Sequence, residues 1–279
     1  MKLARYGAPG AERPALVDAD GTLRDLAGHL DELDGTALAP DRLAKLARLD
    51  PASLPKVTGN PRLGPPVAHI GKIVAIGLNY ADHAAETGAK IPDEPILFMK
   101  ACAATGPNDV VPIPRGCSKL DWEVELAIVI GTRARYVDEK NALAHVAGYT
   151  ICNDVSARDF QIERGGQWVK GKSGDGFAPL GPWLVTRDEV KDPQALDLWL
   201  DVNGEKMQRG STRTMVFGVV HLVHYVSQFM TLNPGDIITT GTPPGVGLGM
   251  KPPRYLNVGD EIRLGIGGFG EQRQIVTAD

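Results

Sequence analysis

The chain has 279 residues, of which 43% are hydrophobic and 23% charged, and its formal net charge is −4. Such a chain can bury a large core, in one large domain or in a small domain plus a larger one. The slight acidity and the scattered basic residues argue against a nucleic-acid partner. No apolar run has the length of a membrane span, and the first residues lack the apolar core of a signal peptide, so we expect a cytoplasmic protein.

The first part of the chain predicts a small β-rich unit closed by a helix. Strand signals flank a turn at Asp20-Gly21, and helical apolar spacing follows over residues 41–49. Five prolines between residues 51 and 66 predict a linker. We therefore expect a small N-terminal domain with its linker over residues 1–66 and a larger domain over residues 67–279.

The larger domain is richer in strand signals than in helix signals. Strands are predicted over residues 73–78, 123–130, 148–153, 183–186, 196–202, 236–240 and 261–266, with a hairpin turn signal at Asn203-Gly204. Helices are predicted over residues 81–87, 157–164 and 215–230. Because strands outnumber helices and do not alternate with them, the pattern predicts a mostly β, α+β fold rather than a Rossmann or TIM layout.

The three cysteines, Cys102, Cys117 and Cys152, are predicted to be free. Their odd number, their wide spacing and the lack of a Cys-x-x-Cys motif argue against disulfides and structural zinc. A lone cysteine can be a nucleophile, but we interpret all three as small apolar side chains.

Two glycine-rich segments resemble nucleotide-binding loops but lack the required context. Residues 166–173 match the Walker A pattern, which needs a preceding strand and a following helix to face phosphates. Here a helical stretch precedes the match, and the glycine- and proline-rich residues 174–182 follow it. The loop over residues 245–249 lies between two proline pairs, with no helix to receive a pyrophosphate. We therefore expect no nucleotide site in either segment.

The most informative segment runs from Asp121 to Ile130 and ends in an apolar run, which predicts a largely buried strand. Side chains alternate along a strand, so Glu123 and Glu125 share one face. Two carboxylates flanked by core repel each other unless one holds a proton or a cation lies between them. The alternative is an exposed strand face that merely carries two acids.

Asp154 adds a third carboxylate, at the end of the predicted strand over residues 148–153 and just before a helix start. All-oxygen ligation by three carboxylates suits Mg²⁺, Mn²⁺ or Ca²⁺ rather than zinc or copper. The sequence therefore predicts one divalent cation, Mg²⁺ by preference, bound by Glu123, Glu125 and Asp154. A helix cap is the alternative role for Asp154.

His83 and Glu86 lie three residues apart in the predicted helix over residues 81–87, and therefore on one face. A glutamate beside a histidine can fix its tautomer, raise its basicity or hold a water jointly with it. The alternative is a surface pair worth roughly a few tenths of a kcal/mol. His221 and His224 repeat the spacing in an apolar stretch without neighbouring acids, so we interpret them as structural or interfacial.

Five motifs, in order, resemble the fumarylacetoacetate hydrolase family over roughly residues 70–270. They are Gly77–Glu86, Asp121–Glu125, Asn153–Gln161, Lys170–Asp175 and Thr240–Gly247. The resemblance implies a mixed β-roll catalytic domain, usually dimeric, preceded by a small N-terminal domain. It also implies a small keto-acid substrate and a homodimer, with no nucleic-acid or membrane partner.

The resemblance assigns a role to single residues of these motifs. His83 and Glu86 would position and activate the attacking water, and Lys172 would stabilise developing oxyanion charge. The implied substrate-binding residues are Tyr80, Lys100, Arg158, Gln161 and Thr242, and the implied metal ligands are Glu123, Glu125 and Asp154.

The implied reaction is hydrolysis of a C–C bond in a small 2,4-diketo acid, giving pyruvate and a carboxylic acid. The substrate would be an acylpyruvate or a 2,4-diketo-3-deoxy sugar acid. The segments Leu3–Gly7 and Pro252–Leu256 resemble a subgroup of diketo-sugar-acid hydrolases and ureidoglycolate lyases. The alternatives are a ureidoglycolate lyase, an oxaloacetate-type decarboxylase and a non-catalytic keto-acid binder.

One segment departs from the family pattern. Residues 173–177 are rich in glycine where relatives often carry a bulkier side chain. We therefore expect Ser173, Asp175 and the loop over residues 245–251 to distinguish between substrate tails.

Overall fold

Strands make up most of the regular structure in the computed structural model, which describes residues 1–88 and 90–279, with the side chains of residues 85 and 87 left aside. The strands are β1 Lys2–Tyr6, β2 Arg13–Val17, β3 Leu23–Asp25, β4 Ile73–Gly77, β5 Ile96–Lys100, β6 Val111–Ile113, β7 Leu120–Asp121, β8 Val124–Ile130, β9 Val146–Asn153, β10 Ser156–Ala157, β11 Leu180–Thr186, β12 Asp197–Val202, β13 Glu205–Ser211, β14 Ile237–Thr239, β15 Glu261–Ile266 and β16 Gly270–Ala278. The helices are α1 Pro40–Leu46, α2 Ala81–Thr87, α3 Arg158–Ile162, α4 Val169–Lys172 and α5 Val219–Phe229. Short 3₁₀ turns lie at Pro51–Ser53, Glu139–His145, Arg187–Glu189, Thr212–Thr214 and Gly247–Gly249.

Two larger sheets carry the fold. The nine-stranded sheet has the order β3-β2-β1-β11-β9-β8-β14-β4-β5, and the five-stranded sheet has the order β13-β12-β15-β16-β6. A two-stranded ribbon joins β7 to β10. The pairs β4–β14 and β6–β16 are parallel, whereas neighbours such as β8 and β9 are antiparallel. The predicted mostly β, α+β fold is confirmed.

The strand β8 separates two apolar cores because its side chains alternate between the faces of the large sheet. Leu126 and Ile128 belong to a core shared with the five-stranded sheet and α5. Ala127 and Val129 face a second core, which the N-terminal residues cover. Glu125 has the same parity as Ala127, so the alternation places a carboxylate at the end of a strand that is otherwise apolar.

The N-terminal strands extend the large sheet. In the β1–β11 pair, Leu3 lies opposite Leu184. Within the predicted linker, Arg62 donates hydrogen bonds to Asp109 at 2.7 and 2.6 Å and to Glu12 at 2.9 Å. These contacts anchor the linker to both parts of the chain, and the domain boundary near residue 66 stays a prediction.

Several predicted elements recur with small shifts at their ends, and others were missed. The helix over residues 81–87 and the strand over residues 261–266 have the predicted bounds. The hairpin at Asn203-Gly204 is also present, with positive φ at both residues. The strand β13, which that hairpin joins to β12, was missed because its sequence is mostly polar. Among the described residues, we find no helix that is long and apolar enough to cross a bilayer.

Candidate active site

A cavity of about 210 Å³ lies where the ends of β4 and β8 face α3 and α4. Its polar lining consists of His83, Glu123, Glu125, Arg158, Gln161, Lys172 and Thr242. Its apolar lining includes Ile76, Leu78, Phe98, Ile162, Trp168, Val246 and Leu248. A concave site with a few convergent polar groups on an apolar background is typical of a small-molecule pocket.

The three predicted metal ligands converge at the polar end of this cavity. Strands β8 and β9 pair so that Val124 lies opposite Asn153, which brings Asp154 next to Glu123. The Asp154 amide donates a hydrogen bond to the Glu123 carbonyl at 2.9 Å. One carboxylate oxygen each from Glu123, Glu125 and Asp154 lies within 4.8 Å of the others, and all three residues are buried.

Two lysines neutralise part of this buried negative charge. The Lys172 ammonium donates to Glu123 Oε2 at 2.8 Å and to Asp154 Oδ2 at 2.9 Å. The Lys100 ammonium contacts Asp154 Oδ1 and donates to the Lys172 carbonyl at 2.8 Å. Both lysines are about 2% exposed. Buried charges of this kind are tolerated because each is paired and hydrogen-bonded.

The environment separates the pKa values of the two glutamates. Burial would raise the pKa of Glu123, but the Lys172 and Arg158 charges outweigh it and lower that pKa to about 2. For Glu125, burial and the Asp154 and Glu123 charges raise the pKa well above its usual value. The site therefore carries more carboxylate than its lysines and arginine neutralise, and the uncompensated charge is concentrated at Glu125.

The donor set fits a hard divalent cation. Mg²⁺ and Ca²⁺ bind oxygen at roughly 2.0–2.6 Å, so oxygens on opposite sides of one ion lie about 4–5 Å apart. The oxygens of Glu123, Glu125 and Asp154 meet this condition, since they lie within 4.8 Å of one another. The buried triad could therefore hold a metal ion.

Asp121 is a site residue to which the sequence assigned no role. Its Oδ2 accepts a hydrogen bond from Arg158 Nε at 2.8 Å, and its Oδ1 accepts one from the Gly247 amide at 2.7 Å. Arg158 in turn donates to Glu123 Oε1 at 2.6 Å and to Gln161 Oε1 at 3.1 Å. Since Asp121 and Gly247 lie 126 residues apart, no local pattern could have linked them.

The predicted pair of His83 and Glu86 forms within α2. His83 Nδ1 lies 3.3 Å from Glu86 Oε2, and His83 lines the cavity. Both Glu86 oxygens also accept from the Gly245 amide, at 3.0 and 3.1 Å. Glu86 therefore connects the cavity histidine to the loop that follows β14.

The remaining predicted substrate-binding residues occupy different positions. Thr242 lines the cavity, donating from Oγ1 to the Val124 carbonyl at 2.9 Å and accepting from Gln208 at 2.8 Å. Tyr80 and Lys100 are fully buried beside the carboxylates and are not among the lining residues. Burial, followed by the Glu125 charge, raises the pKa of the Tyr80 phenol well above its usual value. Substrate contact by Tyr80 and Lys100 stays a prediction.

Neither Ser173 nor Asp175 lines the cavity. The Ser173 hydroxyl accepts from the Ala101 amide at 2.9 Å, which ties it to the chain just after β5. Phe98 lies beside Lys172 in the wall, and Trp168 packs against Phe98. Discrimination between substrate tails by Ser173, Asp175 and the loop over residues 245–251 stays a prediction.

The cysteines and the second histidine pair lie outside the cavity. All three cysteines are free, and burial raises the pKa of each thiol, that of Cys117 to about 11. The stretch around His221 contains no acid, but Glu139, 82 residues earlier in the chain, places a carboxylate oxygen 2.8 Å from His221 Nδ1.

Residues 72–277 match the family model described as fumarylacetoacetate (FAA) hydrolase C-terminal. The chain belongs to the fumarylacetoacetate hydrolase family. A relative from Burkholderia multivorans is 59% identical over 280 residues, which cover 100% of this chain and 99% of the relative. That relative carries a provisional hydrolase name without a substrate.

Solved structures of the family share the whole fold. The fumarylacetoacetate hydrolase from psychrophilic Exiguobacterium antarcticum is 40% identical with a TM-score of 0.89, covering 100% of both chains. A 5-carboxymethyl-2-hydroxymuconate delta-isomerase from Mycobacterium smegmatis is 34% identical with a TM-score of 0.76, covering 100% of this chain and 99% of that one. The predicted family fold is confirmed, and both hydrolases and isomerases occur among similar proteins.

Proposed function

We propose that this family member is a metal-dependent hydrolase that cleaves the C–C bond of a small 2,4-diketo acid to pyruvate and a carboxylic acid. The observation that carries the proposal is the arrangement at the polar end of the cavity. Glu123 and Glu125 line one small volume together with His83 and two cationic side chains. Behind this lining, a carboxylate oxygen of Asp154 lies within 4.8 Å of those of the two glutamates, and Glu86 contacts His83. Such a volume offers charge complementarity to a 2-oxo acid and a base for a water molecule.

The polar end would bind the pyruvyl half of the substrate. Glu123, Glu125 and Asp154 would hold the cation, which supplies Lewis-acid chemistry toward the 1-carboxylate and the 2-oxo group. The Arg158 guanidinium, fixed by Asp121, would orient the carboxylate through its remaining N–H groups. Gln161 lines the same end and would add a hydrogen bond from its amide N–H groups, since its Oε1 accepts from Arg158. Thr242 would reach the substrate only if its hydroxyl turned away from the Val124 carbonyl.

The His83–Glu86 pair would activate the water. With Nδ1 held by Glu86, the ring is oriented so that Nε2 is the nitrogen able to take a proton from a water molecule. The hydroxide equivalent adds to the C4 carbonyl, the C3–C4 bond breaks, and C3 of the pyruvyl group takes the bonding electrons and then a proton. Lys172 would offset the negative charge that develops, an effect worth roughly 3 kcal/mol for one such donor.

A substrate screen tests this proposal. Purified protein with Mg²⁺ would be assayed against acylpyruvates, a 2,4-diketo-3-deoxy sugar acid, oxaloacetate, ureidoglycolate and a hydroxydienedioate. We expect pyruvate from at least one of the 2,4-diketo acids at a kcat/KM well above that for every other compound. Three other main products would each replace the proposal with the corresponding activity. They are glyoxylate with urea from ureidoglycolate (a lyase), CO₂ from oxaloacetate (a decarboxylase) and an isomerised dienedioate (an isomerase).

The isomerase is the second candidate, because similar solved structures carry isomerase names. Such an enzyme moves a proton between carbons and needs no water to attack a carbonyl. The proposed hydrolase would use the His83–Glu86 pair to activate water, whereas an isomerase would need a base only to carry the substrate proton between carbons. We also propose a homodimer, which light scattering on the purified protein tests.

A further inference from the structure

The cavity lining combines two chemically different sets of side chains. Glu123, Glu125, Arg158 and Lys172 form the charged set, in which Arg158 and Lys172 are both paired with acids. The rest of the lining is an apolar wall that includes Phe98, Ile162, Trp168, Val246 and Leu248. If the polar end takes the pyruvyl half, this apolar wall faces the acyl tail of the substrate.

The two aromatic rings of the apolar wall, Phe98 and Trp168, are held in fixed positions by their packing. The Trp168 and Phe98 rings meet edge to face, with centroids 5.4 Å apart and an interplanar angle of 64°. Gly77 at the end of β4 lets the indole approach the sheet, because a Cβ there would lie 2.5 Å from the Trp168 ring. The Lys172 ammonium lies 5.1 Å from the centroid of the Phe98 ring, which connects the wall to the polar end.

The apolar wall presents no charged group to a polar substrate tail. Among the described residues that line the cavity, no lysine or arginine lies beyond Arg158 and Lys172. A second carboxylate placed against the apolar wall would lose its hydration without gaining a cation, which is costly. A tail hydroxyl would find the Trp168 indole N–H as a donor, but the aliphatic side chains and the Phe98 ring offer it no partner. An alkyl or aryl tail would instead gain from leaving water.

We propose that the substrate is an acylpyruvate with an apolar alkyl or aryl tail, and neither a sugar-derived diketo acid nor a dioic acid. This inference rests on the proposed function and narrows its substrate class. Each methylene of the tail that enters the cavity is expected to raise kcat/KM about fourfold, until the cavity is full. A hydroxyl or carboxylate at the same position is expected to remove that gain.

Two measurements test the proposal independently of each other. The first compares kcat/KM for acetylpyruvate, pentanoylpyruvate, a hydroxylated 2,4-diketo acid and a 2,4-diketo dioic acid. The second measures Kd by calorimetry, in the presence of Mg²⁺, for 2-oxohexanoate, pyruvate and 2-oxoadipate. We expect pentanoylpyruvate and 2-oxohexanoate to give the highest values of kcat/KM and affinity. Preference for the hydroxylated or dicarboxylic compound in either measurement overturns the inference.

The calorimetry also separates this inference from the proposed function. If no diketo acid yields pyruvate but 2-oxohexanoate still binds more tightly than pyruvate and 2-oxoadipate, the hydrolase proposal fails and the apolar subsite stands. If pyruvate is released equally well from sugar-derived and alkyl substrates, the hydrolase proposal stands and the subsite fails.

Substitutions in the apolar wall test whether its residues cause the preference for an apolar substrate tail. Trp168→Ala and Phe98→Leu should each lower the ratio of kcat/KM for pentanoylpyruvate to that for acetylpyruvate by about fifteenfold, the value of two buried methylenes. Val169→Ala is the matched control, because Val169 follows Trp168 but is 38% exposed and does not line the cavity. Circular dichroism verifies that each variant is folded. A ratio that stays at the wild-type value in folded Trp168→Ala and Phe98→Leu overturns the assignment.

Discussion

Asp121 and Arg158 form a buried ion pair, in which Asp121 Oδ2 accepts from Arg158 Nε at 2.8 Å. The same carboxylate accepts from the Gly247 amide at 2.7 Å and the Leu248 amide at 3.0 Å. One side chain thus fixes both the guanidinium at the polar end and a loop of the cavity wall. Asp121 is therefore a positioning residue, which acts on the substrate through the groups that it holds.

The exchange Asp121→Asn should weaken substrate binding more than it slows turnover. Loss of a charge-assisted hydrogen bond costs about 1.5–3 kcal/mol, which predicts a rise in KM of roughly 10- to 100-fold. The control is Asp159→Asn, because Asp159 is also buried but accepts from the Ser118 amide at 2.7 Å, outside the cavity. That control should lower the melting temperature without changing KM. An Asp121→Asn enzyme with wild-type KM would show that the pair only supports folding.

Activity should depend on a divalent cation. We expect dialysis against EDTA to abolish pyruvate formation and Mg²⁺ or Mn²⁺ to restore it, because three carboxylates converge at the polar end. In Glu125→Gln, the affinity for Mn²⁺ measured by calorimetry should fall by about tenfold or more, since one charged ligand is lost. Full activity in excess EDTA after dialysis would rule out the metal.

Substitutions in the His83–Glu86 pair should lower kcat and leave the affinity for the metal ion unchanged. His83→Ala and Glu86→Gln are each expected to lower kcat by roughly 10²- to 10⁴-fold, the usual contribution of a general base. The control is His221→Ala, which removes a His–Glu contact of 2.8 Å outside the cavity and should leave kcat unchanged. Near wild-type kcat in both His83→Ala and Glu86→Gln would reduce the pair to a structural contact.

The alternation of strand side chains was enough to predict that Glu123 and Glu125 lie together. They flank and enter an apolar run whose parity places them on one face, and this signal is local because strand geometry fixes which side chains share a face. The approach of Asp154 to Glu123 depends on the pairing of β8 with β9, and metal binding by the three carboxylates stays a prediction. The helical spacing of His83 and Glu86 is local in the same way.

The parts of the site that depend on tertiary packing could not be predicted. Asp121 acts through amides 126 and 127 residues away, and no sequence period reports such a contact. The aromatic wall arises because Phe98 from β5 meets Trp168 from the chain just before α4. Residues 173–177 and the loop over residues 245–251 were predicted to distinguish substrate tails, and this stays a prediction. Val246 and Leu248 of that loop line the cavity, whereas the Ser173 hydroxyl accepts from the Ala101 amide.

Thiol reagents should leave the folded enzyme active. Burial raises the pKa of all three thiols, so the reactive thiolate is scarce at pH 7.5. We expect iodoacetamide at that pH to leave pyruvate formation unchanged over an hour. The denatured protein, with its thiols exposed, is the control and should label at Cys102, Cys117 and Cys152. Rapid inactivation by one equivalent of label would identify a reactive cysteine.

Isotope labelling can follow the attack of water on a carbonyl carbon and the cleavage of the C–C bond. An acylpyruvate would be turned over with the Mg²⁺-loaded enzyme in ¹⁸O-enriched water, and the product masses would be measured by mass spectrometry. We expect one pyruvate per substrate consumed and one ¹⁸O atom in the carboxylate of the released acid. A product of unchanged mass, or release of CO₂ without a second carboxylic acid, would rule out hydrolysis of the C–C bond.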